Sequence, residues 1–93
     1  MAETTAFAFE SLITKEEPQS LTKKIFESAE KAFLTIEGDM RYRYDGGDPT
    51  ADIGHLLKDG SYLTLIGSCQ IQSFRFIKTG YGSANLFISY ERI

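Results

Sequence analysis

Apolar and polar positions alternate along most of this chain. Over residues 6–14, Phe7, Phe9 and Ile13 fall on one side and Ala8, Glu10, Leu12 and Thr14 on the other, the period of two that marks a strand. Lys15-Glu16-Glu17-Pro18 then reads as a charged loop that a strand would not tolerate. The next stretch reads two ways. Leu21, Ile25, Ala29, Ala32, Phe33 and Ile36 fit a 3.6-residue period behind Ser20 as a helix N-cap, yet Phe33, Thr35 and Glu37 alternate with Leu34 and Ile36. The pattern favours a strand over residues 31–37, ending at Gly38-Asp39, and leaves a short helix open within residues 20–30. Residues 40–44 predict a strand with Met40, Tyr42 and Tyr44 opposite Arg41 and Arg43. A long ordered loop follows over residues 45–55, a turn at Lys58-Asp59-Gly60, and a strand over residues 62–66 broken by Gly67-Ser68. Residues 69–71 predict a short extended piece and residues 74–78 another strand. Residues 79–83 predict a hairpin loop whose glycines supply positive φ, and residues 84–91 the closing strand. Short strands separated by turn signals predict an all-β fold, a small antiparallel sandwich or barrel in one domain spanning residues 1–93.

The last two strands carry apolar residues on both faces. Phe74 and Phe76 oppose Ile77, and Ala84, Leu86, Ile88 and Tyr90 oppose Phe87. Two explanations are open: a loop or the disputed helix covers the second face, or that face meets another subunit. On the second, the interface candidates are Ile77, Phe87 and Ile93. Tyr81 joins them, since it sits between two glycines at a loop tip.

Composition narrows the functional classes. The 93 residues are 42% hydrophobic and 25% charged, which fits a folded soluble domain rather than a disordered or repetitive one. A net charge of −3 offers no basic excess to neutralise a phosphate backbone, so no nucleic-acid partner is expected. The longest apolar runs, such as residues 6–9, fall far short of the ~20 residues a spanning helix needs, and no secretory leader is visible, so neither membrane insertion nor export is expected. The lone Cys69 cannot form an internal disulfide.

Enzymatic and metal chemistry find little to work with. His55 and Cys69 would make a nucleophile–base pair only if Cys69 had a basic neighbour to lower its pKa, and none is near it in sequence. Asp45, Asp48 and Asp52 lack the alternating spacing and closing Glu of a calcium loop, so a solvated acidic turn is expected, with no metal and no cofactor. One His and one Cys are too few for zinc. Gly80-Tyr81-Gly82 is not followed by the helix a phosphate loop requires. Arg41, Arg43 and Arg75 are expected to pair at the surface with Glu10, Glu37 and Asp39.

The loop after Tyr44 carries more information. Asp45 can accept a backbone N–H two residues on, Gly46 permits positive φ, Pro49 holds Asp48 extended, and the Thr50 hydroxyl can lock the next turn. Arg41-Tyr42-Arg43-Tyr44-Asp45-Gly46, then Pro49-Thr50, then Gly54-His55-Leu56-Leu57 and Gly60, resembles a small β-sandwich domain of phage and prophage virion proteins. Residues 71–77 and 84–90 also look like that family's closing strands, so the resemblance covers about residues 32–90. It implies a non-enzymatic structural part of a head or tail, homo-oligomeric or seated against neighbouring virion proteins, and localised to the virion after synthesis in the host cytoplasm. Asp45, Gly46, Pro49, Thr50, Gly54 and His55 would form its structural loop motif. A looser similarity links Tyr42, Tyr44, Asp45, Gly46, Pro49 and Thr50 to the turn of β-sandwich modules appended to glycoside hydrolases, which implies glycan contact through exposed tyrosines. Tyr42, Tyr44 and Tyr62 are expected to pack within the sheets instead.

Overall fold

A computed structural model describes residues 5–80 and 82–92, with Phe26 described by its backbone alone. Strands β1 (Thr5–Ile13), β2 (Lys31–Glu37), β3 (Met40–Arg43), β4 (His55–Leu57), β5 (Tyr62–Ile66), β6 (Arg75–Lys78) and β7 (Asn85–Arg92) are accompanied by helices α1 (Lys23–Phe26) and α2 (Ser68–Ser73). They form two antiparallel sheets, one of four strands in the order β1-β7-β2-β5 and one of three in the order β4-β3-β6. The fold is therefore all-β, as the alternation predicts.

Register explains the core. Leu86, Ile88 and Tyr90 of β7 lie opposite Ile36, Leu34 and Ala32 of β2, and Leu34 and Ala32 in turn oppose Leu63 and Leu65 of β5. Met40, Leu57 and Phe76 meet them from the other sheet in one contiguous cluster, with Phe74 at the end of α2 and Ile71 within it fully buried among them. Phe7 departs from its expected companions Phe9 and Ile13. The β1–β7 register shifts between Ala6 and Ala8, and the displaced Phe7 packs against the core with the Arg92 guanidinium 4.5 Å above its ring. The face of β1 that packs inward carries Glu10, which accepts hydrogen bonds from the Tyr90 and Thr22 hydroxyls.

Four expectations are corrected. The helix is one short turn, and Ser20 does not cap it. Thr22 holds that position and its hydroxyl is engaged by Glu10 instead. Residues 69–71 lie in α2 rather than an extended piece: Gly67, at φ +89°, redirects the chain, and the Gln70 side chain accepts the Ile66 N–H at 2.9 Å. Residues 79–83 do not close a hairpin, because β6 and β7 belong to different sheets; the turn carries the chain from one sheet to the other. His55, read as the end of the loop, instead opens β4 beside β3, together with Leu56 and Leu57, which were assigned to no element.

Candidate functional site

The long loop is held from below by its own strand. Arg41 and Arg43 project from the face of β3 opposite Met40, and both reach into residues 44–54. Arg41 donates from Nε to the Ala51 carbonyl and from Nη1 to the Gly54 carbonyl, each at 3.0 Å. Arg43 forks onto Asp45 through Nε (3.1 Å) and Nη2 (2.6 Å), while Asp45 also accepts the Gly47 N–H at 3.1 Å. The Thr50 hydroxyl accepts the Asp52 and Ile53 N–H groups, and Thr50 and Ile53 exchange backbone bonds. Gly54 is required by both φ and space, whereas a Cβ at Gly47 would push aside the end of the Arg43 side chain. A Cβ on Gly47 would lie 2.5 Å from the Arg43 guanidinium, and one on Gly54 (φ +133°) would lie 3.1 Å from Pro49 and from the Tyr42 carbonyl. The hydrogen bond from Arg43 and the Gly47 amide hold the Asp45 carboxyl at a pKa of about 2. Asp45, Gly46, Pro49, Thr50 and Gly54 thus sit in one clamped loop, with His55 opening β4 beside it. Neither arginine pairs with Glu10, Glu37 or Asp39 as expected, and Arg75 donates to the Gln72 and Phe74 carbonyls.

This clamp decides the fate of one sheet face. Ile77 and Arg41 are register partners, so the loop that Arg41 holds lies over Ile77. Ile77 is only 6% exposed and cannot serve as the displayed interface residue expected of it. An open groove of about 570 Å³ borders it between Pro18, Pro49, Ala51 and Gly80, with Glu16 and Lys78 3.5 Å apart at its rim.

The four-stranded sheet has the opposite outcome. Its outer face carries Phe9 and Ile13 from β1, Phe33 from β2, and Tyr62 and Ile66 from β5, all 39–69% exposed. Half-buried Phe87 of β7 lies among them, stacked on Phe9 with ring centroids 6.3 Å apart, and Phe33 meets Tyr62 at 5.9 Å. The two faces therefore differ: a loop covers Ile77, whereas Phe87 belongs to an open apolar face. Phe9, Ile13, Phe33, Tyr62 and Ile66 were missed as site residues. Their alternation was legible, but only the pairing of β1, β7, β2 and β5 shows that they share a surface.

The remaining candidates disperse. Tyr42 is half-buried between His55 (5.3 Å) and Phe74 (5.5 Å), and burial followed by the nearby Tyr44 raises its pKa. Tyr44 and Tyr62 are exposed, contrary to the packing expected of them. Tyr44, His55, Arg43 and Asp45 border a shallow recess of about 320 Å³. Cys69 is exposed on α2, while His55 packs against Tyr42 and Tyr44. Among the described residues no three His, Cys, Asp or Glu side chains are grouped to hold a metal ion, and no helix is long and apolar enough to cross a membrane. Tyr81 and Ile93, the other interface candidates, lie outside the described residues. No family model matches this chain, and neither does any curated protein or solved structure at the threshold of significance.

Proposed function

We propose that this chain is a non-enzymatic assembly domain, a structural subunit of a phage or prophage particle, and that it joins its neighbours through the outer face of the four-stranded sheet. The observation that carries this reading is the contrast between the two sheets. On the small sheet a clamped loop lies over Ile77, leaving Leu56 of β4 (43%) and Ile53 of the loop (63%) exposed. On the large sheet five big apolar side chains stay in water. Contiguous exposed apolar surface on a soluble domain marks a contact site. The loop motif behind the virion resemblance supports the reading in a second way: its arginines, aspartate and glycines are consumed in holding backbone, which suits a structural part rather than a catalytic one. The test is incorporation. In cells that encode the chain, a tagged copy should sediment with large particles, and Phe33→Asp should stay folded yet be excluded from them. Particles that form normally with Phe33→Asp in place overturn the reading.

A glycan-binding role has one observation in its favour. Tyr44 is an exposed ring beside the paired Arg43 and Asp45, and aromatic faces next to planar polar groups suit sugars. Binding on a glycan array that disappears in Tyr44→Ala would support it; a blank array removes it.

A further inference from the structure

We infer that the outer face of the four-stranded sheet is built to receive a second copy of itself; the inference rests on the assembly reading of that face and names its partner. The ladder register arranges the outward side chains in two central rows. One row, crossing β1, β7, β2 and β5, reads Phe9, Ser89, Phe33, Thr64; the next reads Ser11, Phe87, Thr35, Tyr62. Large and small residues alternate along each row and between rows, so the face is a checkerboard.

A two-fold axis in the plane of the interface, running across the strands between these rows, turns each row of one copy onto the other row of its mate. Phe9 then sits over the second copy's Ser11, Phe87 over Ser89, Phe33 over Thr35 and Tyr62 over Thr64. Every ring meets a small side chain, as interdigitating layers require. The end rows obey the same operation. Ala6, Glu91, Lys31 and Ile66 form one, and Ile13, Asn85 and Glu37 the other. The axis places Ile13 over Ala6, Glu91 over Asn85 and Lys31 over Glu37. The contact is isologous, with opposite charges meeting at both ends of β2.

The area is sufficient. At about 200 Å² per large side chain, the exposed fractions of Phe9, Ile13, Phe33, Tyr62 and Ile66 leave roughly 600 Å² of surface per copy. Two faces together bury about 1,200 Å², the lower end of stable specific interfaces. An unrelated partner has no reason to match large to small under this one rotation, whereas a second copy does so along both central rows.

Sedimentation equilibrium of the whole chain tests this, with circular dichroism confirming that each variant is folded. The wild type is expected to form dimers in the micromolar range. Phe33→Asp should weaken them at least about a hundredfold, because it places a charge at the centre of the contact. Lys31→Glu should weaken them about tenfold by setting like charges together, and Lys31→Glu combined with Glu37→Lys should restore them. A wild type that stays monomeric at high micromolar concentration overturns the pairing, as does a dimer that ignores the single charge reversal or is not rescued by the double one. Particle incorporation separates this from the assembly reading. A monomeric chain whose Phe33→Asp variant is still excluded from particles loses the pairing but keeps the assembly role. A dimer whose Phe33→Asp variant still enters particles keeps the pairing and loses that role.

Discussion

Asp45 and Tyr90 contribute to the pH dependence of folding with opposite signs. Asp45 is held at a pKa of about 2 in the folded chain, below the 3.8 of a free carboxyl. A depressed carboxylate contributes stability above its unfolded pKa and loses it as pH falls through the folded one. The clamp should therefore hold at neutral pH and release between about pH 4 and pH 2. The Gly47 amide signal in an NMR titration, which reports the Asp45 hydrogen bond, should move over that window and stay flat in Asp45→Asn. Tyr90 has the opposite sign. Burial, and then the hydrogen bond to the Glu10 carboxylate, push its phenol far above its usual value. The neutral form is the folded one, so this contribution is complete below about pH 10 and declines as pH rises further, when the unfolded chain ionises first. Tyr90→Phe should lower unfolding stability by about 1–3 kcal/mol at neutral pH and flatten the alkaline decline in urea titrations. The place of Glu10 in the alternation of β1 was legible, although it was expected at the surface beside an arginine rather than inward. Its partner 80 residues away was not, because nothing local links them.

At the scale of elements, the strands other than β4 were readable and their connections were not. β2, β3, β5, β6 and β7 follow from period-two alternation alone, within a residue or two at each end. α2 escaped because Ser68–Ser73 is only six residues, with no apolar period to announce it; its sole deep anchor is Ile71. Ile71→Ala should cost about 2–5 kcal/mol in chemical denaturation, as deletion of a fully buried aliphatic does. A change below about 0.5 kcal/mol would mean that α2 does not anchor the core. The loop of residues 44–54 was recognisable as a single fixed shape from Asp45, Pro49 and Thr50. That Arg41 and Arg43 would be its clamps, rather than surface ion pairs, depends on where the loop folds back.

For the whole molecule, the distinction that matters is between the apolar side chains that hold the fold and those that face outward. Phe76 lies at the centre of the shared core, and Tyr62 stands 69% exposed on the open sheet. Phe76→Ala should lower stability by about 3–5 kcal/mol, whereas Tyr62→Thr should change it by less than about 1 kcal/mol for the monomer. Thermal unfolding of the two variants, run at concentrations where the chain is monomeric, checks the division. By itself the sequence determined that this is an all-β chain and which residues alternate within each strand, because side chains in a strand point to opposite faces every two residues. It also determined the stiffness of the loop after Tyr44, since proline, glycine and Asx geometry act over a few residues. Only the tertiary structure decided which apolar face is sealed and which is open. That choice turns on pairing strands far apart in the chain, such as Thr5–Ile13 with Asn85–Arg92, and on a loop folding back over one sheet but not the other. Those are long-range arrangements, and no local pattern encodes them.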